Sequence, residues 1–172
     1  MCIRDRFAGD NGLAVGQHGL MGKQNVYEHS VGVPLMIKAA AQHTGKKTAD
    51  LCYLIDVFPT LCDMLQLPVP QSVDGISLLS SLDGKEPVRD YLYYSYMDNQ
   101  RGISDGTWKL IEYHVNGKRT TQLFNLKNDP WERNDLSGQK KYEKTVQRLR
   151  EKMAEEQKRT NDTSVFWNNF SY

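Results

Sequence analysis

A carboxylate and an amide stand side by side near the start of the chain. Asp10 and Asn11 follow Phe7-Ala8-Gly9, which has the pattern of a β-strand ending in a tight turn. Side-chain oxygens of this kind are the ligands that hard cations such as Ca²⁺ and Mg²⁺ prefer. Asp-Asn-Gly is also among the commonest turn sequences, so the tripeptide by itself favours a plain turn over a metal site.

Further polar side chains stand in and after a glycine-rich loop. Five glycines lie between residues 9 and 22, and Lys23 follows them. An ammonium in this place can put its charge on an anionic ester oxygen. His18 lies inside the loop, and Glu28 next to His29 is a candidate acid–base pair. Taken singly, such residues are more often surface lysines or histidines that are satisfied by hydrogen bonds.

The composition excludes several classes of protein. The chain has 172 residues, with 22 Lys+Arg against 21 Asp+Glu, a balance that argues against a nucleic-acid partner. Hydrophobic residues make up 39% and charged residues 25%, which is typical of a globular chain. No apolar run approaches the roughly 18 residues of a membrane span, which argues against a membrane protein. Residues 1–6 lack the apolar core of a signal peptide, so no location is predicted from them.

The cysteines indicate neither a disulfide framework nor a zinc site. There are three, Cys2, Cys52 and Cys62, and none forms a Cys-x-x-Cys pair. If Cys52 and Cys62 both lay on helix, their rise alone would separate them by about 15 Å, too far for a disulfide bond. We therefore predict buried apolar thiols.

The first half of the chain predicts short elements that would position the polar loop. Val33-Pro34-Leu35-Met36-Ile37 is a strand candidate. A helix is predicted to start at Asp56, with the Asp56 side chain as its cap and Pro59 in its first turn, where a missing N–H is tolerated. The residue pattern changes in the second half, which reads as strands and hairpins, and the chain is predicted to divide near residue 85.

An antiparallel meander is predicted for the second half. Residues 91–96 form an aromatic strand, and Asp105-Gly106 and Asn116-Gly117 are two-residue hairpin signals, which together give four strands. Residues 139–159 form a charged amphipathic helix that should pack on the sheet. Its apolar face carries Tyr142, Val146, Leu149 and Met153.

The order of these segments resembles the C-terminal active-site region of the type I sulfatases, in the alkaline-phosphatase-like superfamily. Each segment is weak evidence alone, but five ordered blocks cover nearly the whole chain from residue 7. The matching segments are Asp10-Asn11-Gly12 with Gly16-Gln17-His18-Gly19-Leu20, Lys23, Tyr27-Glu28-His29-Ser30 and Val33-Pro34-Leu35; Asp56-Val57-Phe58-Pro59-Thr60; Asp74-Gly75-Ile76-Ser77-Leu78-Leu79; Trp108-Lys109-Leu110-Ile111; and Leu123-Phe124-Asn125-Leu126-Lys127-Asn128-Asp129-Pro130-Trp131-Glu132.

The resemblance implies roles for particular residues. Asp10 and Asn11 match a pair that supplies two ligands to an active-site Ca²⁺. Lys23 matches a lysine that contacts the substrate sulfate, and His18 matches a histidine close to the site. His29 is expected to hold the turn into the following strand. The implied fold is α/β, the C-terminal part of a sulfatase, with a four-stranded antiparallel subdomain and a C-terminal helix.

The implied reaction is hydrolysis of a sulfate ester, of a sulfated carbohydrate or an aryl sulfate. In this family a formylglycine hydrate, made from Cys or Ser, attacks sulfur. Its Cys/Ser-x-Pro/Ala-x-Arg pattern does not occur in this chain. Ca²⁺ takes about 6–8 oxygen ligands, of which Asp10 and Asn11 offer only two or three. We therefore expect a C-terminal fragment that is inactive alone, missing the N-terminal half of its own fold, from a parent exported to the periplasm or secreted.

The expected division is a non-native leader over residues 1–6, the end of the catalytic α/β domain over 7–85 and the sheet-plus-helix subdomain over 86–172. The leader Met1-Cys2-Ile3-Arg4-Asp5-Arg6 has the character of an assembly artefact of metagenome-derived reading frames.

Two other functions stay open at this point. One is a non-catalytic module that binds sulfated glycans. Its groove would be lined by Lys23, Arg101, His114 and the tyrosines of residues 91–96. The other is a phosphoesterase of the same superfamily, although such enzymes more often carry Asp-His where this chain has Asp10-Asn11.

Overall fold

The structure of the protein is a computed structural model, which describes residues 5–38, 45 and 47–164. Short strands and helices come first along the chain, and longer strands and a long helix follow. The strands are β1 (Arg6–Ala8), β2 (Ala14–Val15), β3 (Met21–Gly22), β4 (Leu35–Ile37), β5 (Leu92–Tyr96), β6 (Gln100–Ser104), β7 (Trp108–Val115) and β8 (Lys118–Asn125). The α-helices are α1 (Glu28–Val31), α2 (Val57–Met64), α3 (Leu79–Leu82) and α4 (Glu143–Arg159).

The chain forms two compact units, and each draws on two separate stretches of sequence. The first unit comprises residues 1–10 and 33–92, and the second comprises residues 11–32 and 93–172. The predicted division near residue 85 lies close to the last crossing between the units. However, residues 11–32, which carry the glycine loop, cluster with the later part of the chain.

In the first unit, β1 pairs with β4 in antiparallel register, with Phe7 opposite Met36. The strand predicted within residues 33–37 is thus confirmed as β4. Arg6, which the sequence assigns to a foreign leader, is the first residue of β1 and pairs with Ile37. Residues 1–4 lie outside the described residues, and the boundary of the leader stays a prediction.

The helix predicted to begin at Asp56 is confirmed as α2, but the predicted role of Asp56 as its cap is wrong. The carboxylate makes no capping bond to α2. It instead accepts hydrogen bonds from the backbone N–H groups of Tyr53 at 2.6 Å and Ile76 at 2.9 Å, and it binds the Arg89 guanidinium. Asp56 is fully buried, so it joins three segments of the first unit.

The second unit is built on an antiparallel sheet with its strands in chain order. Within the described residues this sheet has four strands, ordered β5-β6-β7-β8, which confirms the predicted meander. Asn116 and Gly117 connect the paired residues Val115 and Lys118, and their φ angles of 52° and 72° are those of a type I′ turn. The sequence thus predicted this hairpin correctly.

The connection between β6 and β7 is one residue longer than predicted, since residues 105–107 separate the strands. The Asp105 carboxylate closes this turn. It accepts hydrogen bonds from the N–H groups of Thr107 at 2.9 Å and Trp108 at 2.7 Å, as aspartate often does in turns.

The predicted C-terminal helix is confirmed. A 3₁₀ turn at Lys140–Tyr142 leads into α4, which packs on β6 and β7 through its buried residues Val146, Leu149 and Met153. On the opposite face of the sheet, Val26 and Tyr27 pack against Ile111 and Phe124. Both faces are therefore covered, although the sequence predicted a cover for one face alone.

Among the described residues, Cys52 and Cys62 are free thiols, as predicted. Cys62 is buried and Cys52 half-buried, while Cys2 lies outside the described residues. None of the described helices combines the length and the apolar character that crossing a membrane would require.

Candidate functional site

Asp10 and Asn11, the predicted metal ligands, stand where the chain passes from the first unit into the second. Both side chains are exposed. The Asn11 amide donates its Nδ2 hydrogen to the carbonyl of Gly12 at 2.8 Å, a bond that does not use the Oδ1 atom that a cation would take. The Gly12 N–H donates to the Ser30 carbonyl at 2.9 Å and so fixes the backbone directly after the pair.

The chemistry of this pair suits a hard cation, but the number of ligands does not. Among the described residues, no group of three or more His, Cys, Asp or Glu side chains is arranged to hold a metal ion. A Ca²⁺ ion takes about 6–8 oxygen ligands. The described residues therefore supply only part of the ligand set that such an ion takes.

Lys23 stands at the end of the glycine loop, which folds into a small hairpin. β2 and β3 pair with Ala14 opposite Gly22. Gly22 has a φ of 119°, a conformation that glycine adopts without strain, and the chain then bends at Lys23. The Lys23 side chain is exposed, so its ammonium is accessible to an anion.

Two of the predicted polar residues, His18 and His29, meet at an aromatic cluster with Tyr27. The His18 and Tyr27 rings stack with centroids 4.0 Å apart, and the His29 ring lies 5.6 Å from His18. The Tyr27 hydroxyl donates to Gln122 Oε1 at 2.7 Å. His18 Nε2 lies 3.2 Å from the Trp131 carbonyl oxygen, which favours the tautomer with a proton on Nε2.

A cavity of about 500 Å³ opens beside these rings, within the size range of small-molecule sites. Burial lowers the pKa of His29, and the neighbouring charges of His18 and Lys109 add to this effect. His29 Nε2 is buried and has no hydrogen-bond partner among the described residues. The cavity is lined by Gln17, His18, His29, Pro130, Trp131, Glu132 and Arg133.

Glu132, which lines the cavity, also belongs to a cluster of two glutamates and a lysine. Lys109 Nζ lies 2.7 Å from Glu28 Oε1 and 3.0 Å from Glu132 Oε1, and the Lys109 side chain is fully buried. Glu132 Oε2 accepts a hydrogen bond from the Glu28 backbone N–H at 2.6 Å. The ammonium also lies 5.1 Å from the centroid of the Tyr94 ring. We call Glu28, Lys109 and Glu132 the ion cluster.

The ion cluster has more acidic groups than basic groups, because two carboxylates share one ammonium. Burial raises the pKa of Glu132, and the Lys109 charge opposes this rise. Losing Lys109 would therefore leave the buried Glu132 carboxylate, and the partly exposed Glu28 carboxylate, without a cation.

The sequence missed the ion cluster, although each member lies in a segment that resembles the sulfatases. Glu28, which the sequence offered as a candidate acid–base partner of its neighbour His29, binds the Lys109 ammonium through its carboxylate. The sequence signal that could have indicated the cluster was Lys109, a charged residue within the otherwise apolar segment Trp108-Lys109-Leu110-Ile111. Because side chains alternate between the two faces of a strand, Lys109 lies on the same face of the sheet as Ile111. This is the face that Val26 and Tyr27 cover.

Arg101 is not available to line the groove that was considered for a glycan-binding module. It is 2% exposed, and its guanidinium donates to Asp162 Oδ2 at 2.7 Å and Oδ1 at 3.0 Å. Tyr93 donates to the same carboxylate at 2.7 Å. His114 is half-buried.

The family model described as N-sulphoglucosamine sulphohydrolase, C-terminal, matches residues 16–159. The chain is 29% identical over 169 residues to the N-acetylglucosamine-6-O-sulfatase of Bacteroides thetaiotaomicron, covering 91% of this chain and 30% of that protein. A protein solved in complex with its substrate D-glucosamine-2-N,6-O-disulfate is similar with a TM-score of 0.76 and 27% identity, over 94% of this chain and 35% of that one.

The same fold occurs with another chemistry. The phosphonate monoester hydrolase of Silicibacter pomeroyi is similar with a TM-score of 0.77 and 22% identity, over 94% of this chain and 36% of that one. At this identity the likeness concerns the fold alone. The chain spans about a third of the length of the relatives that it matches.

Proposed function

We propose that this chain, which belongs to the sulfatases of the alkaline-phosphatase-like superfamily, forms the C-terminal part of an enzyme that hydrolyses sulfate esters. The observation that carries the proposal is the family match over residues 16–159. Sulfated carbohydrates are the favoured substrates, because relatives of this chain are named for, or bound to, sulfated amino sugars. Aryl sulfates are the second substrate class.

In the proposed reaction, Lys23 binds the sulfate group of the substrate. Its exposed ammonium would neutralise charge on the sulfate oxygens as the ester bond breaks. His18, in its doubly protonated form, would donate the proton on Nδ1 to the leaving oxygen. Because His18 Nε2 faces the Trp131 carbonyl at 3.2 Å, Nδ1 is the ring atom left to serve the substrate.

Ca²⁺ and formylglycine are the proposed cofactors. A bound divalent cation would supply Lewis-acid polarisation of the sulfate oxygens, and Asp10 and Asn11 would contribute side-chain oxygens to it in the longer enzyme. Since no cysteine or serine of this sequence stands in the formylglycine pattern, the nucleophile would come from outside this sequence. We accordingly expect no turnover from the 172-residue chain alone.

The test is to express the longer reading frame that contains this sequence and to assay a sulfated hexosamine, an aryl sulfate and an aryl phosphonate. We expect turnover of a sulfate ester, and a loss of about 10²–10³ in kcat for Lys23→Ala, the usual effect of removing one charge-stabilising donor. Lys127→Ala, at another exposed lysine, is the matched control. A preference for the phosphonate would overturn the sulfatase proposal while leaving the fold intact.

The alternative of a non-catalytic glycan-binding module is weakened by the burial of Arg101. It can be tested on the 172-residue chain with a sulfated oligosaccharide at low salt. Binding that is lost in Lys23→Ala would support the module, and the absence of binding would remove it.

A further inference from the structure

We infer that Lys109 is a positioning residue for Asn11, which it holds in place through Glu28 and the helical turn that Glu28 begins. The inference rests on the proposed function, in which Asn11 is a metal ligand. The C-terminal sheet would then contribute to the active site as well as to packing, because Lys109 on β7 would set the backbone position of Asn11.

The first step runs from Lys109 to Glu28. The Glu28 side chain is held by the Lys109 ammonium at 2.7 Å, and the Glu28 backbone N–H is held by Glu132 Oε2 at 2.6 Å. Glu132 in turn lies 3.0 Å from Lys109. Residue 28 is therefore fixed at both its side chain and its backbone, and Lys109 is common to both attachments.

The second step runs from Glu28 through α1. This helix has four residues, too few to be stable without tertiary contacts. The Val31 N–H donates to the Tyr27 carbonyl at 3.0 Å, and the Gly32 N–H donates to the Glu28 carbonyl at 2.8 Å. The turn thus depends on the anchored residues at its start.

The third step runs from α1 to Asn11. The Ser30 carbonyl accepts a hydrogen bond from the Gly12 N–H at 2.9 Å. The approach is so close that a Cβ atom on Gly12 would lie 2.0 Å from the His29 carbonyl oxygen. Asn11 precedes Gly12 and also donates to its carbonyl oxygen, so the position of α1 determines where Asn11 stands.

The same unit offers a matched control. Arg101 is also buried and paired with a carboxylate, that of Asp162, and its guanidinium donates to the carbonyls of Met97 and Gln100. Removing either cation should destabilise the sheet. Only the removal of Lys109 should loosen the bond between Gly12 and Ser30 selectively.

The test is residue-resolved amide hydrogen exchange on the 172-residue chain, comparing Lys109→Met with Arg101→Met. We expect the Gly12 amide to exchange about tenfold faster in Lys109→Met, relative to the amides of β7 and β8, since local opening has its own free energy. Arg101→Met should change all protected amides together. Equal relative Gly12 rates in the two variants would overturn the inference.

Glu28→Ala keeps the test decisive if Lys109→Met does not fold. It leaves Lys109 and Glu132 as a one-to-one ion pair, so the sheet should remain folded, yet it removes the side-chain attachment of α1. We expect the Gly12 amide to exchange faster in this variant too. Unchanged protection of Gly12 in folded Glu28→Ala would overturn the inference.

The proposed function can fail independently. In the longer enzyme, loosening a residue that supports a metal ligand typically costs about 10–100-fold in metal affinity, so Lys109→Met should weaken Ca²⁺ binding by that factor. If Asn11→Ala left Ca²⁺ affinity unchanged, Asn11 would not be a ligand. The proposed function would then fail, while the exchange result would still decide whether Lys109 holds the loop.

Discussion

Lys109 Nζ lies 2.7 Å from Glu28 Oε1, although 81 positions separate the two residues in the chain. One belongs to a central strand of the sheet, and the other begins a single helical turn after the glycine loop. The contact therefore ties the segment that carries the proposed sulfate-binding lysine to the C-terminal sheet.

Replacing Lys109 with methionine should lower the free energy of unfolding by about 3–5 kcal/mol, because it leaves the buried Glu132 carboxylate and the partly exposed Glu28 carboxylate without their cation. Chemical denaturation of the 172-residue chain measures this loss. Lys118→Met, at the exposed first residue of β8, is the control and should change the value by about 0.5 kcal/mol or less. A loss below about 1 kcal/mol in Lys109→Met would show that the ion cluster contributes little.

The stability of the chain should depend on pH through Glu132. Burial raises the pKa of this carboxyl above its ordinary value of 4.5, so the folded state binds the proton more tightly than the unfolded state. Its contribution to stability is complete below pH 4.5 and is lost as the pH rises through the folded pKa. Glu132→Gln cannot titrate, and its free energy of unfolding should fall less steeply above pH 4.5 than that of the wild type.

The control for this titration is Glu86→Gln, which makes the same substitution at an exposed glutamate. Denaturant midpoints measured at several pH values would provide both profiles. Parallel profiles for the wild type and Glu132→Gln would contradict a raised pKa.

A methyl group at Gly12 should be disruptive. Its Cβ would lie 2.0 Å from the His29 carbonyl oxygen, and relieving such a clash in packed structure costs about 1–3 kcal/mol. Gly138→Ala is the matched control, because nothing lies within 4 Å of its Cβ position. Thermal unfolding compares the two variants, and equal midpoints would contradict the close approach of Gly12 to α1.

In the first unit, Asp56→Ala should be strongly destabilising. The substitution leaves the Arg89 guanidinium without the carboxylate that it binds and removes the acceptor of two backbone N–H groups. We expect a loss of about 3–5 kcal/mol in the free energy of unfolding, as for other broken buried ion pairs.

Asp63→Ala provides the comparison within α2, because Asp63 is exposed and binds one serine hydroxyl. It should cost about 1 kcal/mol or less. Similar losses in Asp56→Ala and Asp63→Ala would show that Asp56 does not join the segments of this unit.

Local chemistry explains why much of the second unit could be predicted. Asn116 and Gly117 tolerate positive φ, so they specify a tight hairpin without reference to the rest of the chain. The spacing of Val146, Leu149 and Met153 likewise identifies the buried face of α4. The likeness to the sulfatases, found in short ordered segments, is confirmed by the family match.

The prediction for Asp56 failed for an equally physical reason. An aspartate before a helix is a common cap, and its local sequence favours that role. Ile76 and Arg89, which bind the carboxylate instead, are remote in sequence. No local pattern specifies such partners.

The sequence by itself determined the order of the strands of the meander, the Asn116-Gly117 turn, the apolar face of the long helix and the family, because each depends on neighbouring residues or on short motifs. Only the tertiary structure decided which charges are buried and with which partners. Lys109 and Arg101 are both single cations in strands, yet packing pairs the first with Glu28 and Glu132 and the second with Asp162. Periodicity shows which face of a strand is buried. The free-energy cost of burying a charge depends instead on whether a segment distant in sequence supplies a partner of opposite charge.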